Sequence, residues 1–197
     1  MAALQLSTGL ALAMAAAPNG ATNEASLVPE LLPQIRQRYQ AVLGLAERQF
    51  ADAGQAQAFT ERPGGHFLMR YHVRTKFCAD AARPAQTSQD AQGRTYVEEG
   101  GWLGAASNKK RCDSRRITLK RPGVDARVLI PDLLDDKGYA ATDLLALYLR
   151  RWGIERVFQA LTEVFHLRSL IGTRPQGRLF QLAFCLVLYN MSQVMRG

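Results

Sequence analysis

Sulfur is scarce in this chain of 197 residues, which has three cysteines, Cys78, Cys112 and Cys185, an odd number at spacings of 34 and 73. Neither a disulfide framework nor a paired-cysteine zinc site can be drawn from them, and a reducing cytoplasm is the compartment such usage fits. No Lys or Arg precedes Arg36, so the apolar, small-residue start lacks the basic region that a secretory signal needs. No hydrophobic run is long enough to cross a bilayer: the best, residues 179–189, has eleven positions and is interrupted by Gln181. Between Lys109 and Arg127 there is no aromatic residue, which argues against an RNA-binding surface that stacks bases. Composition itself, 47% hydrophobic and 21% charged, excludes a disordered tail or a fibrous repeat.

Positive charge is what the sequence has in excess. Lys and Arg number 25 against 17 Asp and Glu, a formal net charge of +8. Residues 1–60 hold three basic and four acidic side chains, whereas residues 107–127 hold eight basic ones against Asp113 and Asp125. That run makes Lys109, Lys110, Arg111, Arg115 and Arg116 candidate contacts to a polyanion such as duplex DNA, since each neutralised phosphate releases condensed counterions. A solvated basic face is the alternative reading.

Hydrophobic periodicity and breakers suggest an α/β organisation. One or two strands within residues 4–16 lead to a turn at Pro18-Asn19-Gly20 and a helix over about 26–39 that Ser26 caps. A short strand over 42–46 ends at Glu47, a helix covers 50–60, and residues 66–73 alternate like a strand. From 74 to 136 short β-like runs alternate with polar loops, as in an inserted β-rich region. Two closing helices follow, one over about 142–166 and one over 176–196. The division is 1–73, a partial core; 74–136, a basic insertion; and 137–197, helices that complete the core.

On the first closing helix Tyr148, Arg151 and Glu155 stand at i, i+3 and i+7, one face of a continuous helix, with Ile154, Val157, Leu161 and Val164 on the side facing the core. An exposed Arg151–Glu155 ion-pair face would account for the spacing alone. Yet Tyr, two residues, Arg, three residues, Glu also resembles the signature of the IS-four family of bacterial insertion-sequence transposases. The segments LVPELLPQIRQRY, LAERQF, HFLMRYH, IGTRP and FQLAFCLVLYNMSQVMRG are similar to that family as well, from about Ser7 onward.

The resemblance implies an RNase H-like core interrupted by a β insertion, and strand cleavage and transfer in DNA transposition. Such enzymes of the DDE class hold Mg²⁺ or Mn²⁺ on three carboxylates and need no organic cofactor. Glu155 corresponds to the third carboxylate and Glu47 to the second, in Glu47-Arg48-Gln49-Phe50, where the family has Asp-Arg-x-Phe. Tyr148 and Arg151 would contact phosphates of the transposon end. The first carboxylate belongs on a strand upstream of anything this chain matches, and no Asp or Glu occurs before Glu24. The expectation is therefore the C-terminal part of a transposase, lacking its first core strand and inactive alone, with double-stranded DNA as partner, a homodimer possible on it, and no membrane. A DNA-binding remnant without catalysis is the second reading.

Other constellations offer less. His66, His72 and His166 have no ligand-like spacing. Gly100, Gly101 and Gly104 lack the strand and helix that a phosphate-binding loop joins. Asp132, Asp135 and Asp136 follow Pro131 and read as turn and capping residues.

Overall fold

A computed structural model describes residues 1–17, 23–105, 111–121, 123–165 and 174–196. The chain divides into two compact units, one made of residues 1–38 and 149–197 and the other of residues 39–148. The expected turn at Pro18-Asn19-Gly20 lies outside the described residues.

The unit of residues 39–148 is built on a seven-stranded mixed sheet. Its strands are β3 (Val42–Ala46), β4 (Gly65–Arg70), β5 (Phe77–Ala79), β6 (Gln86–Gln89), β7 (Thr95–Leu103), β8 (Cys112–Arg121) and β9 (Val124–Pro131). The spatial order is β3-β4-β9-β8-β7-β5, with β6 also on β7. β3 and β4 run parallel and every other pair is antiparallel. The crossover between β3 and β4 is helix α2 (Ala53–Thr60), which starts where the Asp52 carboxylate accepts the Gln55 amide at 2.9 Å, three residues later than the sequence suggested. Helix α3 (Ala141–Arg150) covers the other side.

Alternation along the strands sends side chains into two separate cores. On one face Leu68, Ile117, Leu119 and Leu129 meet Ala141, Leu144, Leu145 and Tyr148 of α3, at the i, i+3, i+4, i+7 spacing of a buried helical stripe. On the other, Phe67, Met69, Leu103, Cys112 and Ile130 pack with Ala56 of α2. Gly44 belongs to this second face: a Cβ there would lie 2.2 Å from the Phe59 ring, so only glycine lets that ring rest on β3.

Strands β7 and β8 are longer than the β-like runs 95–97 and 116–119 that the sequence shows, β7 continuing through Glu98–Leu103 and β8 beginning at Cys112. Cross-strand charge pairs explain the extension. Arg115 Nη1 donates to Glu98 Oε1 at 2.8 Å and Arg116 Nε to Glu99 Oε1 at 2.6 Å, across neighbouring register positions. Arg116 also lies over the Phe77 ring, 4.8 Å from its centroid.

In the other unit a hairpin of β1 (Ala2–Leu4) and β2 (Ala11–Met14) packs with α1 (Val28–Arg36), α4 (Gly153–Val164) and α5 (Pro175–Arg196). The first helical segment starts earlier than expected, as a 3-10 turn over Glu24–Leu27 whose cap is Asn23 and not Ser26. Leu161, Cys185, Leu186 and Tyr189 form one core cluster, and α1 buries Val28, Leu31, Leu32 and Ile35. The Asn190 amide continues the hairpin's edge, accepting the Ala11 N–H and donating to the Ala11 carbonyl, both at 2.8 Å.

The helix expected over 142–166 is two helices. Trp152 N–H bonds the Leu149 carbonyl and Ile154 N–H the Arg151 carbonyl, at 3.2 and 2.9 Å, so the ladder tightens to three-residue spans between α3 and α4. Glycine at 153 is the local cause, since it weakens a helix interior by about 1 kcal/mol against alanine. Val164, expected in the core, is exposed.

Candidate functional site

Glu47 closes β3 at the carboxyl end of the parallel β3–β4 pair, the position where open α/β sheets collect ligands. Its half-buried carboxylate caps the short turn Arg48–Phe50, Oε2 accepting the Arg48 amide at 3.2 Å. The register Ala46 to Met69 sets Glu47 beside Arg70, the last residue of β4. The same end is braced twice: the Thr75 hydroxyl donates to the Ala51 carbonyl, and the Tyr71 hydroxyl to the Thr75 carbonyl at 2.8 Å.

Tyr148 reaches this place from α3. It is 2% exposed, and its hydroxyl lies 3.4 Å from the carbonyl oxygen of Ala46, one residue before Glu47. The hydroxyl expected to meet a phosphate is inside the protein, at the end of β3. Arg151 and Glu155 belong to the other unit. Arg151 lies in the turn between α3 and α4, 8% exposed, its guanidinium carbon 5.8 Å from the Trp152 ring centroid. Glu155, in the first turn of α4, is exposed and sits 3.6 Å from Arg151 Nη2. Tyr148 and Glu155 stand on separate helices, so the i, i+3, i+7 wheel of one continuous helix does not describe their spacing.

The basic run is likewise redistributed. Lys109 and Lys110 lie outside the described residues. Arg115 is 3% exposed, held by Glu98 and donating Nη2–H to the Tyr139 carbonyl at 2.6 Å, which ties the sheet to the approach of α3. Arg116 is engaged with Glu99 and Phe77. Arg111 stays exposed, over the Trp102 ring at 4.6 Å. β8 therefore separates the run into an Arg111 end and a Lys120 end, with its middle neutralised by glutamates.

One carboxylate read as a turn residue does more. Asp132, just past β9, accepts the Phe67 amide at 2.7 Å and faces His66 Nδ1 at 2.9 Å, fastening β9 to the start of β4. Asp135 does fold its own turn, accepting the Lys137 amide at 3.1 Å. His72 Nδ1 accepts the Arg74 amide at 3.1 Å, and His166 is outside the described residues. Cys112 is buried, which pushes its thiol above the usual range and keeps it from acting as a nucleophile. The Ala82 amide and the Arg83 side chain hold the Asp80 carboxyl below its ordinary value, on a surface turn remote in the register from Glu47.

Mixed sheet, parallel pair ending in a carboxylate, crossover helix and helices on the faces define an α/β protein of the RNase H-like kind. The chain belongs to the transposase DDE domain family, whose model matches residues 1–191. No curated protein matches the sequence significantly. Transposases of this family act on DNA and generally use divalent metal ions. Within either unit, the described residues bring no three His, Cys, Asp or Glu side chains together as a metal-binding group, so no metal-dependent step is assigned to them. Among the described residues, no helix is long and apolar enough to cross a membrane.

Proposed function

We propose that this chain is a DNA-engaging transposase domain of the IS-four branch, which binds duplex DNA of transposon ends in the cytoplasm and does not cut it unaided. In that reading Glu47 and Glu155 are the carboxylates that serve Mg²⁺ or Mn²⁺ in the family, and two carboxylates do not make a two-metal site. Arg111, Lys109 and Lys110 supply non-specific affinity, and two copies pair on the DNA. The observation that carries the reading is Glu47 at the carboxyl end of β3 within a chain matched to the family over residues 1–191. The longer Glu side chain where the family has Asp supports the inactive half of it, because displacement of a reacting group by about 1 Å can cost on the order of a hundredfold in rate.

The test pairs duplex binding with nicking in Mg²⁺ and in Mn²⁺. Binding that weakens steeply with salt, without metal-dependent nicking, is the expected result. Nicking by the purified chain that Glu155→Ala abolishes would make it a working enzyme and overturn the proposal.

A further inference from the structure

The register of the mixed sheet puts two arginines beside Glu47 that the family signature does not single out. Arg70 follows the Ala46–Met69 pair on β4 and so neighbours Glu47, on a strand about 4.8 Å away. Across the next strand boundary Arg70 is opposite Leu129 of β9, and Arg127, two residues before Leu129 on β9, is opposite Leu119 of β8. Leu45, Leu68, Leu119 and Leu129 all belong to the core that α3 covers. Alternation then puts Glu47, Arg70 and Arg127 on that same face. Diagonal neighbours of this kind stand about 7–8 Å apart, within converging reach of two long side chains. All three residues are half-buried, at the rim and not out in solvent, and Tyr148 closes the floor by reaching the Ala46 carbonyl at 3.4 Å.

We infer that Arg70 and Arg127 form a phosphate-binding pair that holds one phosphodiester of the DNA backbone against Glu47. The inference deepens the reading of Glu47 given above and rests on it. Guanidinium is suited to the task, since its planar fork donates two parallel hydrogen bonds to phosphate oxygens and keeps its charge at any working pH. A carboxylate alone beside a phosphate repels it; two guanidinium groups on the adjoining strands reverse the sign of the local field. Charge density in the sequence pointed to residues 107–127, but Arg111 is eight residues, about 26 Å of extended chain, from Leu119, the residue opposite Arg127. Only the Arg127 end of the hairpin shares the Glu47 end of the sheet.

The experiment measures duplex-DNA affinity of the full chain against salt, without divalent metal, for the parent, Arg70→Gln/Arg127→Gln, Glu47→Gln and the triple variant. The double variant should bind more weakly at every sequence and flatten the slope of log affinity against log salt by about 2, one for each arginine that no longer neutralises phosphate charge. Glu47→Gln should tighten binding several-fold in the parent and have no effect once both arginines are gone, because no phosphate is then held beside it. A double variant with unchanged slope would overturn the phosphate pair. A flattened slope with Glu47→Gln indifferent in the parent would keep the pair and remove Glu47 from its side, so the two failures are distinguishable. Should the double variant not fold, Arg70→Lys/Arg127→Lys decides: charge is kept and the fork removed, so affinity should fall with the slope unchanged. Full retention of affinity by the lysine pair would also overturn the inference.

Discussion

The two units spend hydrophobic surface differently. Around the mixed sheet Phe67, Leu68, Met69, Leu103, Ile117, Leu129 and Ile130 are all at 0% exposure, because helices cover both faces and the central strands β4, β9 and β8 have neighbours on each side. In the unit of residues 1–38 and 149–197, Leu161 alone of the described residues reaches that level. There α5 buries Cys185, Leu186 and Tyr189 against the hairpin and α4, while Phe180, Phe184, Val187, Met191 and Val194 remain exposed along its opposite side. A sheet flanked twice completes its own core; a helix laid on a two-stranded hairpin completes one side.

The contrast breaks most sharply on truncation. Ile117→Ala, which empties space between sheet and α3, should destabilise the larger unit by about 2–5 kcal/mol, whereas Phe184→Ser on α5 should change stability by less than about 0.5 kcal/mol. Urea titrations followed by circular dichroism read both, and equal losses would erase the distinction. Gly101→Ala is next in size. The new Cβ would lie 2.2 Å from the Cys78 carbonyl oxygen and 2.6 Å from the Phe77 ring, so β5 must move away from β7 at a cost of about 1–3 kcal/mol. A variant as stable as the parent would mean that this edge of the sheet is loosely held.

The smallest effect is chemical. Burial raises the Cys112 thiol above its ordinary 9.0, and the fold favours the protonated form. A group raised in this way contributes its stability fully below about pH 9 and loses it as pH climbs through the folded value. At pH 8 iodoacetamide should label half-buried Cys78 well before Cys112, whose labelling should wait for unfolding; mass spectrometry of a time course resolves the order. Equal rates at the two sites would show that the second core opens readily.

Legibility from sequence followed the range of the interactions involved. β3 and the strand after it were readable because their apolar runs and breakers are local, and so was a carboxylate at the end of β3. The extension of β7 past Val97 and of β8 ahead of Arg116 was not, because its support is the cross-strand pairs Glu98–Arg115 and Glu99–Arg116, 17 residues apart. The break in the helix carrying Tyr148, Arg151 and Glu155 was missed for a local reason: the helical wheel assumes an unbroken ladder, and Gly153 follows a turn that tightens it. Charge density misled in the same way, since a run contiguous in sequence becomes the two ends of a strand. Arg70 and Arg127 carry no signal in either one's own neighbourhood; only strand register joins them to Glu47.

The pairing of Arg111 with Trp102 has an optical consequence. The chain has two tryptophans, Trp102 in the sheet unit and Trp152 in the other, each with a guanidinium over its indole, at 4.6 and 5.8 Å. Half-buried Trp102 and the more exposed Trp152 will emit at different wavelengths, so a single fluorescence melt carries one reporter for each unit. Replacing Trp152 by phenylalanine leaves Trp102 as the only indole in the molecule, and the melting of the sheet can then be watched by itself.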